Sequence, residues 1–420
     1  MNDRRRYLSL GVLALTLSLA YGIWYSYGVL MVALLHEYGW SRSVLAGAFS
    51  VFTLTHGFAN PVIGWLCERM QPPRLVAYGG VALGCSLWGI SLVTTPWQLY
   101  VMFGVFTAVA VAAAGWVPAL VQTQRRFPDR LGLALGIVSS GVGLGMLLVV
   151  PLCQLLFDAF GWRTAMRALG VGCIVWIVPA SLYLLKTDPA RPEMTTIPAD
   201  AAVAESTRRG GPKPLTLREA MRTAPFWLIV AAFFLGNVCS QTMHVHQVAF
   251  LVDHGVTALV AASVVGVVGG SSMVAKIASG WISDRIDREI VYITCIAIMV
   301  AAVGALLAVG ANPSTAGAFA YAVLFGAGYS VTASLTPAMA SDRFSGPHFA
   351  SIVGFGLFGS ALGSALGPWL AGLLFDLTGS YTIPLLIAAA CGLLAVWSGW
   401  MLRRLRLREM RGIAAPVPGP

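Results

Sequence analysis

Charge is nearly absent from most of this chain, and its placement follows a pattern. Only 10% of the 420 residues are Asp, Glu, Lys or Arg, and almost all of these punctuate twelve apolar runs. The runs lie near 8–34, 43–66, 75–94, 97–123, 131–156, 164–185, 224–251, 257–283, 290–310, 314–340, 349–375 and 381–402. A helix needs about 20 apolar residues to cross a hydrocarbon core of about 30 Å. Each run meets that length, and lipid leaves a helix as the way to satisfy its backbone. A soluble enzyme is excluded, since soluble domains are roughly 25% charged. Disorder is excluded as well, because 57% of the residues are hydrophobic. The first run follows Arg4, Arg5 and Arg6 but has no small-residue cleavage site, so it is expected to remain as a span. Asn60-Pro61, Trp116-Val117-Pro118 and Gly367-Pro368 interrupt their runs and mark expected breaks.

The net charge of +10 would suit a nucleic-acid partner if the cations formed one patch. They report topology instead. With the N-terminus cytoplasmic, 23 of the 27 Lys and Arg fall on the inner side, and Arg42, Arg163 and Arg167 fall outside. Both termini and a central loop rich in Pro, Gly and charge are therefore expected in the cytoplasm, and no nucleic acid is expected. The resulting division is a first six-helix half over 1–185, a linker over 186–223, a second half over 224–402 and a tail over 403–420. Arg outnumbers Lys 24 to 3 and there is no organelle signal, which points to a bacterial cytoplasmic (inner) membrane.

The two halves repeat one another. Glu37-Tyr38-Gly39 is answered 216 residues later by Asp253-His254-Gly255, and Gly64-Trp65-Leu66-Cys67-Glu68-Arg69 by Gly280-Trp281-Ile282-Ser283-Asp284-Arg285 at the same spacing. Arg126-Phe127 is answered by Arg343-Phe344, and Leu155-Leu156-Phe157-Asp158 by Leu373-Leu374-Phe375-Asp376. Four pairs in order with a nearly constant offset indicate homologous six-helix halves, an architecture of transporters. On these residues the chain resembles the major facilitator superfamily over nearly its whole length. The resemblance implies an all-α membrane protein of twelve helices. It also implies that the loop from Gly280 to Arg288 and its first-half copy gate the cytoplasmic side, through Glu68, Arg69, Asp284, Arg285 and Arg288. A carboxylate at a helix N-terminus is the physical device. The copy departs from the usual pattern at Glu68 and at Gln71-Pro72-Pro73, and the main loop at Asp287.

Three stretches resemble the monocarboxylate porters and the related oxalate/formate exchangers. They are Tyr38-Gly39-Trp40-Ser41-Arg42, Phe160-Gly161-Trp162-Arg163, and the run from Gly367-Pro368 through Gly372 and Asp376 to Gly379-Ser380-Tyr381. Gly141 and Gly145 match part of an antiporter motif, but Met146 stands where that motif has proline, against a drug/proton antiporter.

None of the 17 carboxylates lies inside a span, and Lys276 is the single interior cation. Eight residues before Asp284, it is buried about 12 Å deep, where an unpaired lysine costs several kcal/mol. A substrate carboxylate is its natural partner. The run Met273-Val274-Ala275-Lys276 resembles the stretch in which the porters place a substrate-binding arginine, and Ser272 stands where many of them carry an aspartate. Span 11 lacks the second cation of the oxalate exchangers, which favours a monocarboxylate. His56 and Asn60, four apart on one helix face, fall opposite Ser272 and Lys276 in the repeat; His56 is the candidate proton carrier. Tyr25, Tyr329, Trp116, Gln241 and Phe358 are the further candidates for lining the substrate cavity, whereas His244 and His246 remain open between gating, coupling and interfacial roles.

The seven cysteines show no metal or redox spacing, so no cofactor or metal is expected. The expectation is a monomeric secondary transporter, not an enzyme, that carries a small organic anion with protons by alternating access. The rivals are an efflux carrier for amphipathic or aromatic compounds, an organic-anion exchanger, and a transporter-like sensor, which the short central loop disfavours.

Overall fold

The structure is a computed structural model, which describes residues 3–127, 131–187, 215–283, 285–332, 335–344 and 349–413. All of its regular structure among these residues is helical. In the first half, α1 runs as Asp3–Tyr25 and Tyr27–Tyr38, α2 as Arg42–Arg69, α3 as Pro72–Ile90 and α4 as Pro96–Arg126. One helical stretch, Leu131–Thr187, contains α5 and α6, divided at Gly161, whose φ of 75° and ψ of 153° are non-helical. In the second half, α7 is Ala224–Asp253, α8 is Ala258–Ser283 and α9 is Arg288–Ala311. Then α10 runs as Thr315–Tyr329 and Leu335–Arg343, α11 is Phe349–Thr378 and α12 is Thr382–Ile413. These are the twelve helices of the expected architecture.

The expected breaks fall partly elsewhere. Pro61 and Pro368 lie inside continuous helices. A proline removes one backbone donor, and in a membrane protein neighbouring helices can re-satisfy the carbonyls it frees. Around Pro368, the Ser50 hydroxyl of α2 donates to the Ala365 carbonyl, and a His246 ring nitrogen of α7 bonds the Pro368 carbonyl at 2.8 Å. The third break is real but belongs to Gly115 (φ −97°, ψ −140°), after which Trp116 opens a new helical segment.

The halves meet chiefly along two helix pairs, α2 with α11 and α5 with α8, and also where α1 packs on α7. Small residues set these contacts. A Cβ on Gly143 would lie 2.8 Å from the Gly269 carbonyl, and one on Gly57 would lie 3.3 Å from Ala361. Within the first half, Gly141 and Gly145 face the carbonyls of Ala14 and Ser18 on α1 so closely that neither could carry a side chain. Their role in this structure is close helix approach, which in lipid is a main source of association. The pair α2 and α8 places His56 and Asn60 in one half and Ser272 and Lys276 in the other on repeat-related helices.

Candidate functional site

Lys276 projects from α8 and is half-buried, with Nζ 5.3 Å from the centre of the Tyr329 ring on α10. A cation over an aromatic face is attracted, though far less than by a carboxylate. Among the described residues Lys276 joins no ion pair. The Tyr329 side chain, only 5% exposed, meets that of Tyr25 on α1. His244 of α7 packs against both, its ring 4.9 Å from Tyr25, 4.8 Å from Phe325 and 4.7 Å from Tyr329. Lys276 and His244 thus share the Tyr329 ring as a neighbour.

The aromatic contacts continue into the first half. Tyr25 stacks on Trp24 at 5.9 Å, and Trp24 stacks on Tyr21 at 5.5 Å. Trp24 also meets His56 of α2 edge-on at 4.7 Å and Phe52 at 4.8 Å. The other side of His56 is polar, with Nδ1 3.3 Å from the Asn60 amide nitrogen. The candidates thus sort by position. Lys276, Tyr25 and Tyr329 form one group, and His56 with Asn60 forms a second, joined to the first through Trp24. Trp116 is peripheral: its backbone is bonded by Tyr21, and its side chain packs against a separate apolar cluster that includes Leu10, Leu13 and Leu17. Gln241 is buried one turn before His244. Phe358 stands apart, 43% exposed, 6.1 Å from Phe58 across the α2–α11 seam and 6.5 Å from Phe355.

Trp24, Phe325 and His244 are central here and were not among the favoured candidates. A signal for His244 was present: Asn237, Ser240, Gln241, Thr242, His244, His246 and Gln247 crowd one uncharged span and are all buried. Helix α7 is thus an inner helix of the bundle.

The end of the bundle away from the chain termini, called here the far end, holds an ionic clasp between the halves. Arg42 of α2 pairs with Asp253 of α7 at 2.6 Å and bonds the Tyr381 hydroxyl. Its guanidinium lies 4.0 Å over the Phe375 ring. The backbone N–H groups of Arg42 and Ser43, which open α2, donate to the two oxygens of Asp376 at 2.9 and 2.8 Å. A carboxylate from one half thereby caps the positive end of a helix in the other. Gly372 leaves room for this, since a Cβ there would come 2.7 Å from the Arg42 carbonyl. His246 backs the clasp, with Nδ1 3.0 Å from the Tyr381 hydroxyl. Beside it, Glu37 accepts from the Trp162 indole and from Arg163, and Tyr38 donates to the Val93 carbonyl at 2.8 Å. The three porter-like stretches of sequence are therefore one assembly in space.

The other end is arranged differently. Glu68 and Arg69 are exposed, and Arg69 stacks 3.9 Å over Trp65 of its own helix. Arg285 likewise lies 3.6 Å over Trp281 and donates to its carbonyl at 3.0 Å. Arg288 pairs with Asp342 of α10 at 2.6 Å. Asp287 pairs with Arg403, at 3.0 Å, and with Arg406, both of α12. Arg343 pairs with Glu409. All of these ion pairs lie within the second half or tie it to the continuation of α12 beyond residue 402, so they brace that half and do not join it to the first. Asp284 lies outside the described residues. Burial works to raise the Asp287 carboxyl, but bonds and charge from Arg406 and Arg403 outweigh it and hold it below the usual range.

A family model described as Major Facilitator Superfamily matches residues 13–325 and 252–415. Monocarboxylate transporter 13 of Bos taurus is 27% identical over 383 residues, which are 89% of this chain and 83% of the relative. An uncharacterized MFS-type transporter, YcxA of Bacillus subtilis (strain 168), is 24% identical over 87% of this chain and 86% of its own. Among solved structures, a bacterial homolog of the human lysosomal transporter Spinster, inward-facing and unoccupied, superposes with a TM-score of 0.72 at 16% identity, covering 97% of this chain and 99% of the other. The nucleoside transporter NupG gives a TM-score of 0.74 at 12% identity over 94% and 99% of the two chains. These last two likenesses concern the fold.

Proposed function

The chain belongs to the major facilitator superfamily, a family of multi-pass membrane transporters, and from that premise we propose that it carries a small organic monocarboxylate by alternating access with proton symport. The observation that carries this reading is Lys276, half-buried in α8 beneath Tyr329 without a carboxylate among the described residues to answer it. Keeping such a charge in a membrane interior costs several kcal/mol, which a bound anion offsets. The substrate carboxylate pairs with Lys276 while Tyr25 and Tyr329 pack its body. Asn60 and Gln241 add polar contacts, and Trp116 and Phe358 flank the path. Resemblance to monocarboxylate transporters supports the substrate class.

His56 is the proposed proton carrier, placed at the other end of the aromatic run from Lys276. The far-end clasp and the loops carrying Glu68, Arg69, Asp284, Arg285 and Arg288 serve as the two gates. The proposed setting is a monomer in a bacterial cytoplasmic membrane, with both termini and the 186–223 linker inside, on the strength of the 23 inner cations out of 27. The proposed half boundaries are 1–185 and 224–402, with a cytoplasmic tail over 403–420.

Uptake into proteoliposomes tests the reading. Labelled lactate, pyruvate or an aromatic acid should accumulate with an inward proton gradient and collapse with protonophore. The stacked Tyr21, Trp24 and Tyr25 favour a second reading, efflux of aromatic compounds, which wins if acids never compete and cationic dyes do. Counterflow without a proton requirement would make the protein an exchanger.

A further inference from the structure

Two histidines of α7 differ sharply in how their nitrogens are satisfied. His246 has both engaged, one with the Tyr381 hydroxyl at 3.0 Å and one with the Pro368 carbonyl at 2.8 Å, so it is part of the scaffold. His244, two residues earlier, has neither. It is only 4% exposed, and its ring is enclosed by Tyr25, Phe325 and Tyr329 at 4.7 to 4.9 Å. Buried polar groups are seldom left unpaired, and those that are call for an explanation. A second orphan lies one turn away: the Gln241 side-chain oxygen is buried and has no donor. Residues three apart share a helix face, with Cβ atoms about 5–6 Å apart.

The chemistry of the unmet groups specifies a ligand. A neutral imidazole offers one N–H donor and one acceptor, and the Gln241 oxygen only accepts. Lys276, whose Nζ lies 5.3 Å from the same Tyr329 ring that packs on His244, supplies positive charge. A plain alkanoate accepts hydrogen bonds but donates none, so it pairs with Lys276 and the His244 N–H and leaves the acceptors bare. An anion with a hydroxyl or N–H close to its carboxylate meets both demands.

We propose that His244 and Gln241 form the specificity-determining face of the substrate site, selecting carboxylates that also carry a hydrogen-bond donor. The carboxylate lies between Lys276 and the His244 N–H. The donor is taken by the Gln241 oxygen or by the second His244 nitrogen, while Tyr25 and Tyr329 cover the ligand. This rests on the reading that Lys276 holds the substrate carboxylate.

The test is binding calorimetry on the purified full chain in nanodiscs, with two matched pairs of acids: glycolate against acetate, and 2-hydroxybutyrate against butyrate. The wild type should prefer the hydroxy acid of each pair by at least about tenfold, because an unmet buried acceptor penalises the partner that lacks the donor. His244→Phe and Gln241→Leu should bring that ratio toward one. His244→Asn, which keeps a donor and an acceptor, should retain most of the preference and controls for a folding defect in His244→Phe. Equal binding within each pair by the wild type overturns the proposal, as does an unchanged ratio in both His244→Phe and Gln241→Leu. Lys276→Ala separates the two levels of the argument. Loss of all four acids there supports the carboxylate reading whatever the ratios, and unchanged binding overturns that reading and this proposal with it.

Discussion

Arg42 and Asp376 meet at the far end of the bundle although 334 positions separate them in the chain, the backbone N–H of Arg42 donating to the Asp376 carboxylate at 2.9 Å. The Arg42 side chain, 11% exposed, turns the other way, to Asp253 and Tyr381. One residue thus joins α2 to α7, α11 and the start of α12. An alternating-access carrier must break this junction to open that end.

Arg42→Ala tests whether the clasp holds the far end shut. Removing a charged hydrogen-bonding partner costs about 2 kcal/mol, roughly a thirtyfold shift toward the open form. The Asp376 bonds survive, since the backbone supplies them. Spin labels at Trp40 and Leu377 should report a longer far-end distance in the variant. An unchanged distance distribution would remove the clasp from the account.

Gly161 is the hinge between α5 and α6, and its φ of 75° with ψ of 153° is a conformation open essentially to glycine alone. Gly161→Val should destabilise the protein by about 1–3 kcal/mol. It should also disturb the adjoining Trp162 and Arg163 bonds to Glu37. Thermal unfolding in nanodiscs measures the first effect. Quenching of Trp162 fluorescence, read against a Trp162→Phe control, measures the second.

Both the hinge and the clasp were partly legible in the sequence. The short stretches around Arg42, Gly161 and Asp376 stand out as porter-like, but nothing local says that they touch. Their contact follows from how two six-helix halves dock, which a one-dimensional pattern does not contain. Lys276 was legible for the opposite reason: a lone charge in an apolar span is anomalous wherever it packs. His244 was harder to rank. A polar residue in a membrane helix can be satisfied by any neighbour, and only the three-dimensional surroundings distinguish the engaged His246 from the unengaged His244. Pro61 and Pro368 do not break their helices, and the polar groups that other helices bring beside Pro368, such as the Ser50 hydroxyl on the Ala365 carbonyl, are set by packing that the sequence does not display.

Asp287 gives a pH dependence with a definite sign. Its carboxyl is held below its ordinary value in the folded protein, by Arg406 and Arg403 against the opposing effect of burial. Its stabilising contribution is therefore complete above the unfolded carboxylate value of about 3.9 and is lost as pH falls through the lower folded value. Wild type should unfold at a higher temperature than Asp287→Asn at pH 7. The gap should narrow only under acid conditions, below about pH 4. A gap that closes between pH 8 and 6 would assign the effect to another group.

Lys276 carries the central claim, and Lys276→Ala tests it most directly. In proteoliposomes with an inward proton gradient, the variant should lose carboxylate uptake by at least about a hundredfold, as expected when a buried ionic partner of the substrate is removed at a cost of about 3 kcal/mol or more. Lys276→Arg should retain part of the activity, because the charge persists although its geometry changes. Carboxylate uptake by Lys276→Ala at the wild-type rate would contradict the account.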